Sequence, residues 1–260
     1  MNGEKICLGC HRGDRKNFPE NTMAAFRSAV ALGLDAIETD VRMTADGVLV
    51  LIHDRDVLRT TDGQGFVDEM TLAQIKALDA GFWKGEEFRG ERIPTVEEFL
   101  ELVSGTNILV NWELKEYPLE LGERAYELID KLVELIDRYG MAERSMMNSF
   151  SERNLEYVYD KWGDKFVTHG YIHYKNPKDF SDKPLDSFKN WAAMCRKDEE
   201  HLSGFAEDYS YAISRDILCC ILVPDAPEHY RRALDLGCRM FTSDDPATAV
   251  RILRDLGVRE

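Results

Sequence analysis

An α/β fold of barrel size is predicted by three observations. Helical and strand-like periodicities alternate along the whole chain. Close to eight strand candidates occur, with helices between them. The length of 260 residues matches the roughly 250 residues that one eight-stranded barrel needs. No internal repeat or low-complexity stretch interrupts the alternation, so residues 1–260 read as a single unit. Hydrophobic residues at 44% and charged residues at 31% supply a sizeable core and exclude a disordered chain.

The elements follow from local signals. Ile6–Cys10 is an apolar strand. Thr22–Leu32 carries Met23, Phe26 and Val30 at helical spacing, has Asn21 or Thr22 as a cap, and stops at Gly33. Ala36–Val41 is a strand, Asp46-Gly47 marks a turn, and Val48–Ile52 runs apolar up to His53. Thr71-x-x-Gln74 and Thr95-x-x-Glu98 are capping-box patterns that open helices at Leu72–Leu78 and Val96–Val103. Ile108–Lys115 is a strand, and the helix Leu121–Tyr139 lines up Ala125, Leu128, Leu132 and Leu135. Ser145–Phe150, Phe166–Ile172, Ile217–Val223 and Arg239–Thr242 are further strands. Their helices lie near Glu152–Tyr159 and Pro227–Leu236, with a last one opened by Asp245-Pro246. Arg55–Arg92 is longer than a barrel loop requires, and in Tyr174–Ser214 helical and irregular readings compete.

The formal charge of −15 opposes nucleic acid and anionic membranes as partners. An anionic substrate must then meet local cations or a metal. No apolar run reaches the roughly 20 residues of a spanning helix, and MNGEKICLG is not the start of a signal peptide. A soluble cytoplasmic protein without stable membrane anchoring is expected. Six cysteines are too few for a disulfide framework, so Cys7-x-x-Cys10 and Cys219-Cys220 are expected to be reduced core thiols.

The strand period of two puts Glu38 and Asp40 on one face of Ala36–Val41, with Ile37, Thr39 and Val41 on the other. The same alternation gathers Leu109, Asn111, Glu113 and Lys115 against Ile108, Val110, Trp112 and Leu114. Alone, each polar set fits a solvated edge. The strongly apolar opposite faces make both strands central, where unpaired carboxylates are costly. Three converging carboxylates there point to a hard divalent cation, Mg²⁺ or Ca²⁺. If Asp46-Gly47 closes a two-residue hairpin, Asp40 lies opposite His53. His11 and Arg12 end the first strand at the carboxyl face, the functional face of a parallel barrel.

His11-Arg12-Gly13, Pro19-Glu20-Asn21-Thr22, Glu38-Thr39-Asp40-Val41, Thr44-Ala45-Asp46-Gly47 with Val50, His53 and Asp54, and Glu113-Leu114-Lys115 together resemble the glycerophosphodiester phosphodiesterase family. The likeness is dense over 6–54, returns at 93–115 and 145–155, and extends to Thr242-Ser243-Asp244-Asp245-Pro246. It implies a TIM-type (β/α)8 barrel with a small insertion after the His53 strand, about 55–92. It also implies metal-dependent hydrolysis of glycerophosphodiesters to glycerol 3-phosphate and an alcohol. His11 and His53 would do the acid and base work, Arg12 and Lys115 would meet the phosphate, and Glu38, Asp40 and Glu113 would hold the metal. A glycerol hydroxyl or water would be the nucleophile.

The resemblance also has a departure. Where many members carry a Trp-Thr-Val-Asn-like stretch on the penultimate strand, this chain has Cys219-Cys220-Ile221-Leu222-Val223-Pro224. Tyr171, His173 and Trp191 are the candidates for a replacement wall. Rival readings are a lysophospholipase D-like or cyclising activity on a lipid, which requires an apolar rim, and a catalytically silent barrel that binds a phosphorylated ligand. Metal-dependent sugar isomerisation would more naturally use more carboxylates and no Arg beside the first His.

Overall fold

The computed structural model describes residues 6–171, 179–183, 191–195, 210, 212, 214, 215, 217–222 and 226–259. Its strands are β1 (Cys7–His11), β2 (Ala36–Met43), β3 (Leu49–Leu51), β4 (Leu109–Leu114), β5 (Ser145–Asn148), β6 (Val167–Tyr171), β7 (Trp191–Cys195), β8 (Leu218–Leu222) and β9 (Met240–Ser243). Leaving out β3, each strand pairs in parallel with the next, and β9 returns to β1. Among the described residues, eight parallel strands therefore close a ring, the barrel expected from the alternation.

The described helices are α1 (Met23–Ala31), α2 (Leu72–Ala77), α3 (Val96–Val103), α4 (Pro118–Leu121), α5 (Glu123–Arg138), α6 (Glu152–Trp162), α7 (Pro227–Asp235) and α8 (Pro246–Asp255). Both expected capping boxes form, Thr71 with Gln74 and Thr95 with Glu98. Thr22 caps α1 by accepting from the Ala25 amide.

Two expectations are corrected. The His53 strand is not a member of the ring: β3 runs antiparallel to β2 and pairs only with its last residues. The missing barrel strand is β7, from the stretch where helical and irregular readings competed. The hairpin register also differs. The Gly47 amide donates to the Thr44 carbonyl and the Thr44 amide to the Val48 carbonyl, both at 2.9 Å, so the loop has three residues rather than two. Gly47, at φ +78°, takes the left-handed position that such a loop needs. Val41 therefore faces Leu51, and the Ile52 amide donates to the Asp40 carbonyl at 3.1 Å. Ile52 stands opposite Asp40, and His53 lies one residue farther along.

The main core lies between the outer face of the barrel and the helices. Ile37, Val41, Val110, Trp112 and Leu114 pack there with Phe26 of α1, Phe99 and Val103 of α3, and Leu128 and Leu132 of α5. Phe99 joins the layers, with its ring 4.5 Å from Phe26 and 5.5 Å from Trp112. A second cluster around Cys7, Ala36, Met146, Cys220 and Met240 packs separately, on the alternate positions of the same strands, and fills the barrel's interior. Cys7 and Cys10 fall in different clusters. A strand sends residues three apart to opposite faces, so this CxxC forms neither a disulfide nor a metal clip. Residues 55–92 bury Val57, Val67, Ile75 and Ala80 against Val50, Ile52 and Ile93, a small core of their own.

Candidate active site

The carboxyl ends of β1, β2 and β4 converge on one buried, charged cluster. Glu38 and Asp40 point inward from β2 and Glu113 from β4, as the alternation required, and their oxygens come within 4.8 Å of one another. Glu38 and Asp40 are held in opposite electrostatic states. Burial raises the Glu38 pKa, and the neighbouring Asp40 and Glu113 charges raise it further. Burial acts the same way on Asp40, but Lys115 and Arg12 outweigh it and hold this carboxyl far below the usual range. The Lys115 ammonium lies 3.1 Å from Asp40 Oδ1 and also pairs with Glu113. Arg12 Nε sits 3.2 Å from Asp40 Oδ2, and its Nη1 bonds Glu20 at 2.9 Å.

Local backbone geometry delivers these groups. Arg12 adopts φ +59° and Gly13 φ +77°, which turns the chain off β1 at the barrel mouth. The Arg12 amide donates to Glu38 Oε2 at 3.0 Å, fixing that carboxylate. A Cβ on Gly13 would lie 2.7 Å from the Ala25 side chain and 2.9 Å from its carbonyl carbon, so only glycine fits against α1. Asn21, also left-handed at φ +54°, donates to Asp40 Oδ2 at 2.7 Å and accepts from Thr39 at 2.9 Å.

His11 reaches this cluster, His53 lies near enough for its charge to act on Asp40, and each imidazole is held by a carboxylate. His11 Nδ1 is 2.7 Å from Asp244 Oδ1, and its Nε2 is 3.9 Å from Glu38. His53 Nδ1 is 2.6 Å from Asp54 Oδ1. Ionised partners take the Nδ1–H, which leaves each Nε2 able to accept or donate a proton to another molecule. Burial lowers the His11 pKa against the opposing pull of Asp244. Asp54 and Asp244 are themselves held below the usual carboxylate range, Asp54 chiefly by the His53 hydrogen bond and Asp244, despite burial, by His11.

The structure thus brings together all seven sequence-predicted residues, His11, Arg12, Glu38, Asp40, His53, Glu113 and Lys115. It adds groups to which the sequence reading assigned no part in the site: Asp54, Asp244, Glu20, Asn21 and Arg59. Asp54 had a local signal, its adjacency to His53. Arg59, from the insertion, had none; it bridges Asp54 and Glu20, bonding the latter at 2.8 and 3.1 Å. Of the candidates for a replacement wall, Tyr171 stacks on Phe150 with ring centroids 3.8 Å apart, and Lys115 lies 5.7 Å from the Phe150 ring. Trp191 starts β7 at the end remote from this mouth. His173, Val223 and Pro224 lie outside the described residues.

Known proteins resemble this chain in sequence and in fold. The sequence profile of the glycerophosphoryl diester phosphodiesterase family matches residues 11–198. A glycerophosphodiester phosphodiesterase of Caldanaerobacter subterraneus subsp. tengcongensis is 50% identical over 155 residues, 59% of this chain and 62% of that protein. The match spans less than two thirds of the length of this and of two Bacillus relatives, each covered over 58%. Among solved structures, an Oleispira antarctica phosphodiesterase in complex with the product sn-glycerol-3-phosphate superposes with a TM-score of 0.82 at 25% identity, covering 95% of this chain and 96% of that one. A glycerophosphodiester phosphodiesterase from Agrobacterium tumefaciens gives 0.73 at 26% identity, covering 93% and 97%. With the profile spanning more than half of its length and the barrel shared, the chain belongs to the glycerophosphoryl diester phosphodiesterase family.

Proposed function

We propose that residues 1–260 act as one phosphodiesterase barrel, with 55–92 as an insertion, that hydrolyses glycerophosphodiesters to glycerol 3-phosphate and an alcohol. One observation carries the reading: two carboxylate-backed imidazoles border the Glu38, Asp40 and Glu113 cluster beside Arg12 and Lys115. A phosphodiester resists attack because its oxygens repel nucleophiles and its alkoxide leaves poorly. Arg12 and Lys115 offset the first obstacle. The histidine pair addresses the second: one imidazole takes the proton of the attacking hydroxyl, and the other gives a proton to the departing alkoxide as the P–O bond breaks. The nucleophile is water or the glycerol hydroxyl next to the phosphoester, and a cyclic phosphate product distinguishes them.

The acidic cluster fits a divalent cation. Glu38 Oε1 is buried without a hydrogen-bond partner, and three hard oxygen donors face one another there. Glu38, Asp40 and Glu113 would hold Mg²⁺ or Ca²⁺, which when bound supplies positive charge to the phosphate oxygens. The stacked Phe150 and Tyr171 pair supports their use as the wall in place of the family's Trp-containing stretch. Cys7, Cys10, Cys219, Cys220 and Cys238 are buried thiols, in keeping with a reducing, cytoplasmic setting. Among the described residues, no helix is long and apolar enough to cross a membrane.

A second reading, action on a lysophospholipid, gains support from the loops at the mouth. Leu58 and Phe66 in the insertion, Leu119 in α4 and Phe180 are 68%, 42%, 76% and 62% exposed, apolar side chains on segments that follow β3, β4 and β6. The experiment is glycerol 3-phosphate release from a panel of glycerophosphodiesters and a lysophospholipid, with Mg²⁺, Ca²⁺ or chelator, alongside Glu113→Gln. Release that a chelator stops, with weaker metal titration in the variant, is expected. Inertness towards all substrates with metal bound would refute the reaction, and fastest release from the lysophospholipid would favour the second reading.

A further inference from the structure

We propose that Arg42 is a positioning residue that sets the spacing between His53 and Lys115; the inference rests on the roles just given to those two residues. Arg42 lies in β2 two residues beyond Asp40 and is only 8% exposed. Its Nε and Nη2 donate to the His53 carbonyl at 3.0 and 2.9 Å, and its Nη1 donates to the Lys115 carbonyl at 3.2 Å. These carbonyls belong to segments that arrive from different directions. His53 follows β3, which is antiparallel to β2, and Lys115 follows β4, which is parallel to it.

β3 meets only the last residues of β2, so the ladder between them is three residue pairs long. The Ile52 amide on the Asp40 carbonyl and the Leu51 amide on the Pro94 carbonyl, at 3.1 and 2.9 Å, add to that hold but stop short of His53. Lys115 is tied to β2 by its own amide, which donates to the Val41 carbonyl at 3.2 Å. The guanidinium spans both exits. Its planar fork keeps the donors at fixed separation, so the two carbonyls are held relative to each other as well as to β2. A lysine ammonium at the same place is a single point and cannot reproduce that spacing. Arg42 itself bonds to backbone, not to the acidic cluster, and it acts through the residues whose carbonyls it grips.

The test is a double-mutant cycle on the metal-loaded enzyme. Arg42→Met and Arg42→Lys are measured for kcat and KM on a glycerophosphodiester, in the wild-type background and with His53→Gln. Thermal unfolding and divalent-metal titration are run on each protein. A displacement of about 1 Å in a reacting group costs about 100-fold. Arg42→Met is therefore expected to lose about that factor, mostly in kcat, with metal affinity unchanged, and Arg42→Lys to restore only part of it. In the His53→Gln background the loss should shrink at least about fivefold, because the group being positioned is gone. Equal losses in both backgrounds, or no loss in the wild-type background, would overturn the proposal. If Arg42→Met does not fold, Arg42→Lys is taken through the same cycle and judged by the same criterion. A His53→Gln enzyme with wild-type turnover would instead overturn the role of His53 and, with it, the basis of this inference.

Discussion

His11 and His53 commit Nδ1 to Asp244 and Asp54 at 2.7 and 2.6 Å, and an amide in either position can hold the ring without holding its tautomer. Asp54→Asn and Asp244→Asn should each lower kcat by about tenfold or more while KM and the unfolding temperature stay close to wild type. Unchanged kcat would reduce these carboxylates to surface partners. Deeper in the barrel, His169 is buried beside Asn111, 3.1 Å from its amide nitrogen, and burial pushes its pKa down to about 3 from 6.5. Below pH 6.5 the unfolded chain takes up a proton that the native imidazole refuses. The stability that depends on a neutral His169 is thus full above pH 6.5 and is lost as the pH falls towards about 3, at about 1.4 kcal/mol per pH unit. Urea unfolding between about pH 7 and about pH 5 should show wild type losing stability more steeply than His169→Gln by that amount. Parallel pH profiles would exclude the imidazole as the cause.

At the scale of elements, α3 depends on its cap and on one aromatic. Thr95 accepts from the Glu98 amide, and Glu98 reaches back to the Thr95 amide, so Thr95→Ala should cost about 1 kcal/mol. Phe99, wedged between Phe26 and Trp112, should cost about 3–5 kcal/mol as Phe99→Ala. Chemical unfolding checks both, and comparable losses would mean that the aromatic contact contributes little. The capping signals were legible because a capping box lies within four consecutive residues. The register of the β2–β3 hairpin was not, since Asp46-Gly47 is compatible with loops of two or three residues and only the Thr44 to Val48 pairing decides. Strand β7 was missed because Trp191-Ala192-Ala193-Met194-Cys195 has no period-two alternation. Pairing on both sides, with β6 and β8, makes it a strand.

Across the whole molecule, the site was legible where its residues end strands and obscure where distant segments meet. His11, Glu38, Asp40 and Glu113 declared themselves through alternation and strand ends. Asp244 reaches His11 from 233 residues away, and Arg59 reaches Glu20 from 39 residues away, contacts that only closure of the barrel and folding of the insertion create. The same closure brings Arg12 and Lys115 from the ends of two strands onto Asp40 in a chain of net charge −15, and in the proposed function these two cations offset the repulsion of a phosphate. In the proposed function, this mouth cleaves a phosphodiester through its two imidazoles. The most direct measurement is the rate of glycerol 3-phosphate release by wild type, His11→Ala and His53→Ala at matched metal saturation, with each variant's fold checked by circular dichroism. Each variant is expected to lose about 10²–10⁴ in kcat while remaining folded; near-wild-type release by a folded variant of either kind would contradict the account.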